Sequence, residues 1–238
     1  MLEKLLDYER ELFLCLNNAH SPFGNQLMWL YSGHVAWIPV VATFLFVLFY
    51  SNRTRWKETI LVLAAIVLVI TICDQFSSGL CKDLFQRFRP THHPDFMNDV
   101  ITVFGYRGGR YGFISSHAAN GFGFATLTSL IFRKKAYTIA IYLWATVFAY
   151  SRIYLGVHFI TDIIPGICAG LFFGWVVFRL FAFTHKKVMG RNDSTIHGSL
   201  YPNNGITLIL TMLSATFILM IISGILYACD WIPALTFK

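Results

Sequence analysis

Six long runs almost free of formal charge constrain this chain more than anything else in it. They cover about 26–50, 59–80, 114–132, 136–150, 159–183 and 205–229. A bilayer core about 30 Å thick takes about 20 apolar residues as a helix. In lipid every backbone N–H and C=O must be satisfied within the protein, so such runs are helices. The run at 136–150 is short but extends through 151–157. The expected fold is an all-α integral membrane protein, a bundle of six transmembrane helices forming one domain over 1–238. Of the 238 residues 56% are hydrophobic and 13% are charged, whereas a soluble domain carries about 25% charged residues. The net charge of +7 therefore reports membrane topology, and membrane lipids, not nucleic acid, are the expected surroundings.

The first 20 residues read differently. Leu2, Leu5, Leu6, Leu12, Phe13 and Leu16 recur at helical spacing, with Glu3, Asp7, Glu9 and Glu11 on the other face. That pattern predicts a helix lying in the membrane interface. It is not the basic region and apolar core of a cleavable signal peptide. The five cysteines, at 15, 73, 81, 168 and 229, have no paired or metal-ligand spacing and are expected as buried thiols.

Polar chemistry concentrates in three stretches. One is Lys82 to Pro90, where Pro90 disfavours helix at Arg89; Lys82 and Arg89, two turns apart, would share a helix face. The next is Ser115-Ser116-His117 at the start of the third run, where unpaired backbone N–H groups attract anions. The last is Ser151-Arg152 through His158 to Asp162. If His158 opens a helix, Asp162 lies one turn away and can hold one ring nitrogen, leaving the other free to attack. Between the first two stretches, Gly105, Gly108, Gly109 and Gly112 alternate with Tyr106, Arg107, Arg110 and Tyr111, a basic aromatic loop. Asp74 is expected to be structural, and His34 to be a satisfied interfacial histidine.

Alternating six spans puts all three stretches on one side. The opposite side carries Arg53, Arg55 and Lys57, then Arg133, Lys134 and Lys135, then Lys186, Lys187 and Arg191, with only Glu58 and Asp193 acidic. The positive-inside rule makes that side cytoplasmic. The polar stretches and both termini then face outward, toward the periplasm of a bacterial inner membrane.

Three cations (Lys82, Arg89, Arg152) around one small volume call for a multiply charged anion, and phosphate fits best. His158 with Asp162 suits a nucleophile that would form a phosphohistidine. His117 suits the general acid and then the base that activates water. Ser115 and Ser116, with the cations, would bind phosphate. There is no carboxylate cluster for Mg²⁺ and no Cys/His set for Zn²⁺, and the His92, His93, Asp95 group reads as solvated. Neither metal nor cofactor is expected.

Lys82…Arg89-Pro90, Ser115-Ser116-His117 and Ser151-Arg152…His158…Asp162 together resemble the three-part signature of the type 2 phosphatidic acid phosphatases, whose superfamily includes the vanadium haloperoxidases. The resemblance covers 82–162. The usual Pro-Ser-Gly-His of the middle part reads Ile114-Ser115-Ser116-His117 here. The resemblance implies metal-independent removal of phosphate from a lipid phosphate or pyrophosphate, with lipid A and undecaprenyl pyrophosphate as the expected substrate class. Phosphatidylglycerophosphate or phosphatidic acid is an alternative. A haloperoxidase is disfavoured by the six spans, and a non-catalytic phospholipid carrier is the competing reading from another class. The oligomeric state stays open.

Overall fold

The computed structural model describes residues 2–51, 56–189 and 201–236. Among them all regular structure is helical. α1 (Leu2–Asn17) leads to α2 (Pro22–Ser32). Ser21 caps α2 by accepting the Gly24 N–H, and Pro22 occupies its first turn, where a missing N–H costs nothing. The expected continuous first span is broken here. α2 and the helical segment that follows it meet at 69°. Gly33 ends α2 in extended backbone, and a 3₁₀ turn (Val35–Trp37) leads into α3 (Ile38–Ser51). Pro39, without an N–H, sits harmlessly in the first turn of α3.

The second run continues further than its polar end suggests. α4 (Trp56–Asp74) passes through a π-helical turn (Gln75–Cys81) into α5 (Lys82–Phe85). A π turn keeps the chain helical while shifting its register, a feature common at functional sites. Gln86 then stops the helix in left-handed backbone, with φ of 45°. Lys82 and Arg89 therefore do not share a helix face; Arg89 lies in extended chain beyond the stop.

After the 86–115 connection come α6 (Ser116–Phe132), α7 (Lys135–Tyr154), α8 (Ile160–Met189) and α9 (Asn203–Ala228). Among the described residues three helical stretches are long and apolar enough to cross a membrane: Trp56–Phe85, Ile160–Val188 and Asn203–Ala228. The bent pair adds a fourth if counted as one span. α6, with 17 residues, is too short for that criterion. α7 has 20 residues but is rich in Tyr, Thr, Trp and Ser. Large apolar side chains such as Phe46, Val67, Leu143, Phe172 and Leu219 are exposed along the helices, which only a lipid environment satisfies. This is a multi-pass membrane protein. Arg53, Arg55, Arg191 and Asp193, used in the charge argument, lie outside the described residues.

α6 and α8 interlock most closely. A Cβ on Gly166 would meet the Ser115 carbonyl at 2.8 Å, and one on Gly170 the Ala119 carbonyl at 2.5 Å. Small residues let two helices touch backbone to backbone, the means of association available where lipid removes the hydrophobic drive. The Ser115 N–H donates to the Asp162 carbonyl at 3.0 Å, which ties the start of α6 to the start of α8.

α1 is docked on the bundle. Phe13 is buried between Phe96 and Phe159. Asn17, also buried, donates to the Ile153 and Tyr154 carbonyls and accepts the Ile101 N–H, so it closes the C-terminus of α7. Glu9, expected on the outer polar face, points inward: it is one turn from Phe13 and its side chain is 8% exposed. Tertiary pairing decides this, because a purely amphipathic count puts every acid outside. The cysteines also divide. Cys73 and Cys81 are buried, but Cys15, Cys168 and Cys229 are exposed, since lying in an apolar helix does not put a thiol on its inner face.

Candidate active site

A cavity of about 400 Å³ opens at the meeting point of α5, α6 and α7. Its walls include Lys82, Arg89, Ser116, His117, Arg152 and His158. All three polar stretches of the sequence contribute to this one space.

Each group is held by local structure. Lys82 Nζ donates to Ser116 Oγ at 2.8 Å and to Ser78 Oγ at 3.1 Å. Ser78 also reaches Ser116 Oγ at 2.8 Å and Asp74 Oδ1 at 3.4 Å. Asp74, Ser78 and Lys82 thus form one polar rail along the π-helical turn. Ser115 does not line the cavity: its buried hydroxyl caps α6 by accepting the Ala118 N–H. Its neighbour Ser116 presents the hydroxyl to the cavity.

Arg89 Nε donates to the Tyr111 carbonyl at 3.0 Å, and Arg89 Nη1 is buried without a partner. Burial, and then the positive charge of Arg152, bring the Arg89 guanidinium down to about 10. Arg152, 3% exposed, donates through Nη1 to Ser32 Oγ and through Nη2 to Tyr106 Oη at 3.1 Å; its Nε is buried without a partner. Two cations therefore each keep a buried donor unused. Leaving such a donor unmade costs about 1–3 kcal/mol, more when charged, so both side chains are suited to an anionic acceptor.

His158 is 1% exposed. It sits in the turn before α8 rather than opening the helix. Its Nδ1 lies 3.4 Å from Asp162 Oδ2, with the Gly112 backbone alongside. Asp162 Oδ2 accepts the Phe159 N–H at 3.0 Å, the carboxylate half of a capping box at the start of α8. Burial, and then Arg89, Arg152 and Lys82, hold the His158 ring well below the usual histidine range. A neutral imidazole with one nitrogen engaged keeps the other as a nucleophile. His117 stacks near Phe148 at 5.1 Å, with the His34 ring 6.5 Å away.

The loop of 105–112 is tied to the Arg87–Arg89 segment and lends Tyr106 to the cavity wall, so it is not a free connection. Arg89 N–H donates to the Arg110 carbonyl, and Gly112 N–H to the Arg87 carbonyl. A Cβ on Gly108 would meet Arg89 Nη1 at 2.7 Å, and one on Gly112 would meet Asp162 Oδ2 at 3.0 Å. Glycine lets the backbone lie this close to the charged groups. Sequence reasoning missed His34, Asp74, Ser78, Tyr106, Asn120 and Phe148, all of which line the cavity. Helical spacing of Asp74, Ser78 and Lys82 was the available signal for two of them. Among the described residues no group of three or more His, Cys, Asp or Glu side chains could hold a metal ion.

A family model described as the PAP2 superfamily matches residues 63–186. A lipid A 4'-phosphatase of Porphyromonas gingivalis is 42% identical over 223 residues, covering 93% of this chain and 94% of that protein. The chain belongs to the PAP2 superfamily. A lipid A 4'-phosphatase of Bacteroides thetaiotaomicron is 37% identical over 195 residues, 82% of this chain and 84% of its own length. The PAP2-type phosphatidylglycerolphosphate phosphatase from Bacillus subtilis has the same fold, with a TM-score of 0.57 at 20% identity over 78% of this chain and 88% of that one. As a PAP2 member with these relatives, the protein is an enzyme, a phosphatase by class. The PAP2 match contains the whole lining set from Asp74 to His158 and omits α1, α2 and α3, so His34 reaches the cavity, and Ser32 reaches Arg152, from outside the matched region.

Proposed function

We propose that this protein hydrolyses a phosphate monoester of lipid A or a closely related lipid phosphate, releasing phosphate without a metal, through a phosphohistidine on His158. The observation that carries this is the pair of buried guanidinium donors without a partner on Arg89 and Arg152, two residues that line the same cavity as His158 and His117. The phosphate would sit among Lys82, Arg89, Ser116 and Arg152, with Ser115 acting through the start of α6. His158 Nε2 attacks phosphorus as the bond to the lipid oxygen breaks, and His117 gives that oxygen its proton. Asp162 stabilises the charge gained by the attacking ring. Water, its proton taken by His117, then splits the P–N bond, releasing phosphate and restoring His158. Such a transfer draws mainly on positioning and on charges fixed before the reaction.

A lipid substrate is supported by a second cavity of about 340 Å³, almost wholly apolar. It shares Asn120 and Phe148 with the polar one and is otherwise walled by residues such as Phe44, Ile66, Ile141 and Leu213. An acyl chain of the substrate would lie there while the lipid's phosphate sits among the cations. The near full-length likeness to two lipid A 4'-phosphatases favours lipid A over undecaprenyl pyrophosphate, phosphatidylglycerophosphate and phosphatidic acid. We further read the chain as one membrane-embedded domain of six spans. α6 and α7 would cross as shorter inner helices, α1 would lie in the interface, and the site would face the periplasm from the inner membrane. The test is phosphate release by the purified protein in detergent from those four lipids, with and without a chelator. Release from lipid A that survives chelation is expected. Release from none of the four, or only with added metal, would overturn the reading.

A further inference from the structure

We infer that Arg87 and Glu9 are positioning residues for the His158–Asp162 pair, and that α1 is thereby part of the catalytic unit. This rests on the proposed role of that pair. Arg87 lies two residues before Arg89 but is used differently. It is not among the cavity's walls. Its Nη1 donates to Asp162 Oδ1 at 2.9 Å and to Thr161 Oγ1 at 2.6 Å, and its Nη2 donates to Glu9 Oε2 at 2.5 Å. The guanidinium carbon stands 4.8 Å over the Phe159 ring. Glu9 Oε1 accepts the Thr161 hydroxyl. Glu9, Arg87 and Thr161 thus close a ring of hydrogen bonds around the start of α8.

This ring fixes the Asp162 carboxylate. Oδ1 faces Arg87, so Oδ2 is turned toward Phe159 N–H and His158 Nδ1. The Asp162 side chain is fully buried and cannot find a substitute partner in water. Arg87 itself is 28% exposed on the side chain, and an ion pair that exposed ordinarily contributes little. Here it borders a buried carboxylate and is itself held by Glu9. Glu9, Phe13 and Asn17, at spacings of four, form one stripe of α1. Through that stripe α1 reaches Arg87, Phe159 and the end of α7. The elements carrying Arg152, His158 and Asp162 are therefore all braced by α1.

The experiment is a double-mutant cycle. In the otherwise native chain, Arg87→Ala should lower kcat by about 10–100-fold, the size expected for a group orienting a catalytic one, with KM changed little. Arg87→Lys should recover part of that loss, because it keeps the charge but not the fork. Glu9→Gln should have a smaller effect in the same direction. In an Asp162→Asn background Arg87→Ala should be nearly silent, because both changes break one unit. Equal losses in both backgrounds would show that Arg87 acts independently of Asp162 and would overturn the inference. A readout without turnover separates this from the proposed function. The rate at which diethyl pyrocarbonate modifies His158, followed by peptide mass spectrometry, should change about threefold or more in Arg87→Ala, near the low end for touching groups. It should not change further in the Asp162→Asn background. An unchanged rate in the single variant sinks the inference whatever the lipid panel gives. An inactive native protein sinks the functional reading alone.

Discussion

Two buried polar clusters sit at opposite ends of the same helices. At one end of α8, Asp162 meets His158 beside the cations; near its other end, His185 Nε2 lies 3.4 Å from Glu58 Oε1. Along α8 the two ends are roughly 35 Å apart at 1.5 Å per residue. The sequence motif is the same in kind, one histidine and one carboxylate, each about 1% exposed or less. The surroundings differ. Phe181 packs beside His185 with ring centroids 5.6 Å apart, and neither Glu58 nor His185 borders the polar or the apolar cavity. Around His158 three cations line open space, and two of them keep unused donors. A buried histidine–carboxylate pair is thus not in itself a site. An excess of one charge bordering a cavity makes it one.

The comparison breaks most sharply at His158. His158→Ala should lower phosphate release by about 10³-fold or more, as loss of a nucleophile does, while lipid binding persists. Native-level release from that variant would remove the distinction between the clusters. His117→Ala should cost about 10²–10⁴-fold in kcat, the range for a general acid. It should cost less on a substrate whose leaving group needs no proton. Arg152→Ala should cost about 10²–10³-fold, comparable to loss of one preorganised donor. Arg152→Lys should recover little, since Ser32 and Tyr106 engage two separate nitrogens.

Acidity sharpens the contrast further. Attack requires an unprotonated His158, and its ring titrates well below 6.5 because of burial and the cations. As pH falls, kcat/KM should decline along an acid limb that includes protonation of His158. Lys82→Ala removes a neighbouring positive charge, raises the His158 value, and should move that acid limb to higher pH. The smallest effect on activity is expected at the other cluster. His185→Phe should leave kcat within about twofold while lowering stability by about 1–3 kcal/mol, the order of one polar contact to a charged group. That is readable as a fall in Tm of about 2–4 °C per kcal/mol at this length.

The apolar runs made a helical membrane protein legible, because in lipid the backbone has few other choices. The residue types gathered in the three polar stretches made the cavity's Lys82, Arg89, Ser116, His117, Arg152 and His158 legible as well, though not the local helix geometry expected of Lys82 with Arg89 and of His158. Other features were not. The break at Gly33 was hidden because composition alone does not distinguish a bent pair from one rod. The π-helical turn was hidden because its residues read as the end of a span. Asp74 and His34 looked incidental until tertiary packing brought the bend and the turn to the same cavity.

By itself, then, the sequence determined the solvent, the all-helical class and the chemical inventory, since each depends on residue type and local spacing. The tertiary structure decided which groups share a space, which cations keep a donor unused, and that Glu9 turns inward to Arg87. Those depend on contacts between residues far apart in the chain, such as Glu9 with Thr161 and Ser32 with Arg152, and no local pattern encodes them.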